Sequence, residues 1–123
     1  MSDKALILFA HGARDPRWAA PFERLQQLAA AQLPAVVVRL AYLELMTPQL
    51  PETVAALVHD GCRSLTIVPI FLGQGGHVLR DLPLLIEALR VDHPTLHIQV
   101  ADAVGENPQV LSSIAQYCIG SMA

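Results

Sequence analysis

Two histidines stand just beyond apolar runs, and they are the first sign of chemistry in the chain. His11 follows ALILFA, and His77 closes LTIVPIFLGQGGH, where Gly73, Gly75 and Gly76 place three glycines in four residues. Glu44 ends a third apolar run, AVVVRLAYL. Two imidazoles and a carboxylate suit a divalent first-row metal. They also suit proton abstraction near neutral pH. The glycines cost chain entropy, so they imply a backbone reason for presenting His77. Arg14, Arg17 and Arg80 flank the two histidine loops. On one rim they would form a positive collar, which favours a substrate with several carboxylates or phosphates.

The elements that carry these residues alternate. Ala5–Ala10 reads as a strand covered on both faces. A helix follows the HGARDP loop, starting at Asp15 or near Trp18 and running to about Leu33, where Pro34 ends it. Ala35–Leu43 is a second strand. Thr47-Pro48 reads as a hydroxyl cap with proline at the first helical position, and Gly61 as the glycine that closes that helix. Ser64–Ile70 is a third strand, followed by a helix from His77 or Asp81 to Asp92. Leu96–Ala101 is a fourth strand. Asn107-Pro108 starts the last helix, whose stripe is Val110, Leu111, Ile114 and Cys118.

The order βαβαβαβα predicts an α/β fold, a single four-stranded parallel sheet with helices on both faces. Right-handed crossovers favour the flavodoxin-like strand order 2-1-3-4. Ligands in such sheets bind beyond the carboxyl ends of the strands, where the order reverses. His11, Glu44 and the His77 loop follow strands 1, 2 and 3, so all three belong to that crevice. A histidine at a strand end is often only a polar loop residue. Convergence of all three raises the functional reading above that one.

The bulk properties bound the rest. The 123 residues fit one domain spanning 1–123, and 53% apolar content argues against disorder. No run reaches the roughly 20 apolar residues of a membrane helix, and ALILFA is too short for a signal-peptide core, so a cytoplasmic protein is expected. A net charge of −3 without a basic stripe argues against nucleic acid. Cys62 and Cys118 lie far apart and read as reduced thiols near helix ends. The chain lacks a dinucleotide fingerprint, a Walker lysine and a G-x-S-x-G elbow. An Arg-His-Gly phosphohistidine site would need arginine where Ala10 stands. Pro94 separates His93 from His97, so these two, like His59, read as surface or helix-end residues.

Taken together, HGARDP, LELMTP, VPIFLGQGGHVLRDLP and ADAVGENPQVL resemble the sirohydrochlorin chelatases of the short CbiX type, over nearly the whole chain. Ala13 stands where that family usually has serine, which removes a hydroxyl beside His11 but no implied ligand. The resemblance implies insertion of Co²⁺, Fe²⁺ or Ni²⁺ into sirohydrochlorin, a tetrapyrrole with eight carboxylates. His11 and His77 would hold the metal and accept the pyrrole protons, with Glu44 assisting. The metal is a substrate, and no organic cofactor is implied. Gly73, Gly75 and Gly76 would let the flat macrocycle approach the backbone, and Arg14, Arg17 and Arg80 would meet its carboxylates. Longer members carry two such domains, so a single one implies a homodimer. Two other readings stay open. One is a non-catalytic module binding metal or tetrapyrrole. The other is a small phosphometabolite hydrolase or isomerase using His11, disfavoured on the ground that phosphate prefers amides at a helix start.

Overall fold

The fold comes from a computed structural model, which describes residues 3–73 and 75–122; the side chains of His77 and Leu79 lie outside that description. Four parallel strands form one sheet in the order β2-β1-β3-β4. They are β1 (Lys4–Ala10), β2 (Val37–Tyr42), β3 (Ser64–Pro69) and β4 (His97–Val100). The helices are α1 (Ala20–Gln32), α2 (Leu50–His59), α3 (Gly76–Asp92) and α4 (Pro108–Gly120). The register sets Ala10 beside Tyr42 and Phe9 beside Pro69, so the first three strands end at one level.

The two faces of the sheet hold separate cores. On one, Leu50, Val54 and Leu57 of α2 and Val78, Ile86 and Leu89 of α3 pack on Ile7, Phe9, Leu65 and Ile67. On the other, Phe22 and Ala29 of α1, with Trp18, cover Leu8, Ala10, Val38 and Leu40. Right-handed crossovers produce this split: β1 to β2 moves one way across the sheet, and the next two crossovers move the other way. Phe9, Phe71, Ile7, Leu65 and Ile67 are fully buried. Each contributes about 1.5–3 kcal/mol by leaving water.

Several boundaries differ from expectation for local reasons. The first helix is preceded by a 3-10 turn, Pro16–Ala19, capped by Asp15, whose side chain accepts the Arg17 amide. Thr47 does not cap α2. Thr47-Pro48 is a cis peptide in the preceding loop. The cap is Gln49, which makes a reciprocal box with Glu52, and the first-turn proline is Pro51. Gly61 does close α2, at φ +101. Asn107 caps α4 through the amides of Gln109 and Val110. The α4 stripe, by contrast, is not in a core: Leu111, Ile114, Tyr117 and Cys118 are all exposed. Cys62 is buried and, like Cys118, is a free thiol. Among the described residues, no helix is long and apolar enough to cross a membrane.

Candidate functional site

The site lies where β1, β2 and β3 end. Beyond the last paired residues, the ladder between β1 and β2 continues: the Leu43 amide donates to the Ala10 carbonyl at 2.9 Å, and the Glu44 amide to the His11 carbonyl at 3.1 Å. His11 and Glu44 are therefore backbone neighbours, tied by the sheet itself. Gly12 makes this approach possible. Its φ is +91, and a β-carbon there would land on the Glu44 carbonyl oxygen. Both the left-handed backbone and the overlap exclude a side chain, which is the physical reason for His-Gly at this point. Leu45, just after Glu44, also adopts left-handed backbone, at φ 68. A branched side chain holds that conformation at a cost of about 1–2 kcal/mol.

The loop after β3 reaches the same place. The Ile70 amide donates to the Phe9 carbonyl at 2.7 Å, continuing the ladder on the other side of β1. Phe71 then turns inward, 1% exposed. Its ring lies 4.2 Å from the His11 ring and 5.7 Å from that of Phe9. The contact fixes one side of the His11 imidazole, which is half-buried, and leaves Glu44 exposed beside it. The Gly105 amide donates to the Phe71 carbonyl at 3.0 Å, so the turn after β4 braces this loop. Phe71 had no assigned role in the sequence reading. Its signal was present, an aromatic residue between a buried strand and a glycine loop.

The remaining site residues take different places. The backbone of His77 stands in the first turn of α3, which begins at Gly76 with Gly75 as its cap. The His77 side chain lies outside the described residues, so its distance to His11 and Glu44 is not part of the geometry. Among the described residues, no group of three His, Cys, Asp or Glu side chains gathers as a metal site. Gly73, Gly75 and Gly76 have open space where a β-carbon would project. The conformational demand foreseen for this loop falls on Gly12 instead. What the three glycines provide is a bare backbone surface. The α3 helix starts at Gly76, so its first turn lies in the loop that follows β3.

The three arginines have different surroundings. Arg17 is committed to Asp15 through a bidentate contact, with Nη2 to Oδ2 at 2.7 Å. That bond and the Arg17 amide hold the Asp15 carboxyl below its ordinary value, and the Arg17 guanidinium is raised in turn. Arg80 donates to the Gly76 carbonyl of its own helix at 3.3 Å. Arg14 is exposed on the loop after His11.

Comparison with known proteins places this geometry in context. The CbiX family pattern matches residues 5–118. The sirohydrochlorin cobaltochelatase of Methanocaldococcus jannaschii is 28% identical over 90 residues, covering 73% of this chain and 63% of that protein. The crystal structure of the cobalamin (vitamin B12) biosynthesis CbiX protein of Marinobacter aquaeolei VT8 superposes with a TM-score of 0.85. It is 32% identical, with 97% of each chain covered. The sirohydrochlorin chelatase SirB of Bacillus subtilis subspecies spizizenii, solved with cobalt, shares the fold at a TM-score of 0.78 and 22% identity. That match covers 94% of this chain and 49% of SirB. The chain thus spans under two-thirds of the curated cobaltochelatase it matches and about half of SirB.

Proposed function

The chain belongs to the CbiX family, and from that premise we propose that it inserts a divalent metal into sirohydrochlorin. Cobalt is the first choice of metal, with iron or nickel as other substrates of the same donor set. The observation that carries the proposal is the joining of His11 and Glu44 by the extended β1–β2 ladder, beside the loop that bears His77. Insertion removes two pyrrole N–H protons and strips water from the incoming cation. Neutral imidazoles can do both, first as ligands and then as proton acceptors.

In this mechanism His11 and His77 hold the metal, and Glu44 assists as the exposed carboxylate at the mouth. Phe71 packs against the His11 ring and limits its swing. The bare backbone at Gly73, Gly75 and Gly76 gives a flat macrocycle room to lie close. Its carboxylates would meet Arg14, the α3 amide end and, by rotamer change, Arg80 and Arg17. The protein would act in the cytoplasm as a homodimer, with no organic cofactor.

The test is His77→Ala. Insertion should fall at least roughly 100-fold, as expected for loss of a group that both binds metal and moves a proton. Far-UV circular dichroism and the melting temperature should stay unchanged. Insertion at the wild-type rate would remove His77 from the mechanism.

A further inference from the structure

We propose that the hollow at the amino end of the sheet binds a small zwitterion with an apolar tail, the class of the aliphatic α-amino acids. This site is separate from metal insertion, because it lies at the end of the strands away from His11 and Glu44.

The hollow arises where short side chains meet the end of a helix. The register sets Ala5 of β1 beside Val37 of β2. After α2 ends at His59, Gly61 turns at φ +101, and the Cys62 amide returns to the Leu57 carbonyl at 2.9 Å. That turn brings Leu57 and Cys62 to the same place as Ala5 and Val37, and the four line a cavity of about 190 Å³. The volume is below the roughly 300–1,000 Å³ of pockets for drug-sized molecules, so its occupant is small. Three of the four are aliphatic, and a buried thiol behaves as a small hydrophobe. The lining therefore favours an apolar body and penalises a polar one.

The charges come from opposite walls. Arg39 stands on β2, and Asp60 caps the carboxyl end of α2; both line the cavity and both are exposed. Among the described residues, no ion pair joins the two. Arg39 spends one N–H on the Val38 carbonyl, at 3.3 Å. Gln26 donates to that same carbonyl at 3.1 Å, so Arg39 can turn away without stranding an acceptor. The planar guanidinium then offers a two-pronged fork to a carboxylate. Lys4 also lines the cavity, but it is already engaged, so the carboxylate is assigned to Arg39.

A cation and an anion that line one cavity without neutralising each other are complementary to a ligand that carries both charges. A simple anion would satisfy Arg39 but meet repulsion from Asp60, and a simple cation would do the reverse. An α-amino acid answers both, with its carboxylate on Arg39 and its ammonium on Asp60. Its side chain then falls against Ala5, Val37, Leu57 and Cys62. A branched aliphatic side chain suits that lining in chemistry and in size.

The test is calorimetric titration of the full chain with L-leucine, beside three probes that each alter one feature. Isocaproate lacks the ammonium, isoamylamine lacks the carboxylate, and L-glutamate carries a charged tail. Leucine should bind saturably, one per chain, and each other probe at least tenfold more weakly, as expected for loss of one charge-assisted contact or burial of a charge. Arg39→Gln and Asp60→Asn should each weaken leucine at least tenfold with wild-type far-UV circular dichroism. If a variant does not fold, thiol labelling of wild type decides: saturating leucine should slow labelling of Cys62 and leave exposed Cys118 unchanged. Isocaproate or isoamylamine binding as tightly as leucine would mean a site for a single charge, and glutamate doing so would mean that the apolar lining is not used. Each of these overturns the proposal. Absence of both saturable binding and Cys62 protection overturns the site altogether.

Discussion

The two ends of the sheet make an instructive contrast. At the amino end, Lys4, Val37, Arg39, Leu57, Asp60 and Cys62 line a cavity of about 190 Å³. The Cys62 thiol there is pushed above its ordinary value by burial and so stays neutral. The carboxyl end instead gathers His11, Glu44, the Phe71 brace and the start of α3. Among the described residues, this cavity and the candidate site lie at opposite ends of the sheet. Strand ends fix where side chains converge, whereas hollows at the other end follow from helix and strand lengths.

The contrast predicts that damage at one end costs activity and damage at the other costs only stability. The largest effect should come from Gly12→Ala. The new β-carbon meets the Glu44 carbonyl in a left-handed backbone. Stability should drop by at least about 2 kcal/mol in a denaturant titration. Insertion should be lost even at temperatures where the variant is folded, because His11 and Glu44 are forced apart. Phe71→Leu should be milder. It keeps most of the volume, costing about 1 kcal/mol, but removes the ring against His11. Steady-state kinetics should show kcat down roughly tenfold with KM little changed, since a misplaced ligand costs rate more than binding. Equal losses in both would break the assignment of Phe71 as a positioning residue.

The smallest effect belongs to the amino end. Cys62→Ala should leave insertion kinetics at wild-type values. Its signature is in pH. Burial raises the folded thiol above its ordinary 9.0, so the unfolded chain loses that proton first. The thiol's contribution is whole below pH 9.0 and is lost as pH climbs through the folded value. Wild-type melting temperature should therefore decline above pH 9, and Cys62→Ala should decline less. Tyr42, also raised by burial, adds its own loss only above 10.0. Identical pH profiles for the two proteins would mean that the thiol is not buried as described.

The sheet was legible in the sequence because its strands are continuous apolar runs, and their order follows from crossover handedness. His11 and Glu44 were legible as the first polar residues after such runs. The start of α2 was not, because Thr47-Pro48 has the composition of a cap while Gln49 and Glu52 make the real one. Phe71 was legible only as an aromatic residue between a buried strand and a glycine loop, because its role as a brace depends on contacts across the sheet. The fate of α4 was invisible for a related reason. Periodicity shows which side of a helix is apolar, not what covers it.

The most direct measurement is an absorbance time course of sirohydrochlorin with Co²⁺, then Fe²⁺ or Ni²⁺, with and without catalytic amounts of the protein. The account predicts that the free-macrocycle band disappears faster than in the spontaneous reaction, over many turnovers per chain. A spectral shift that stops at one equivalent of protein, or none at all, would contradict it.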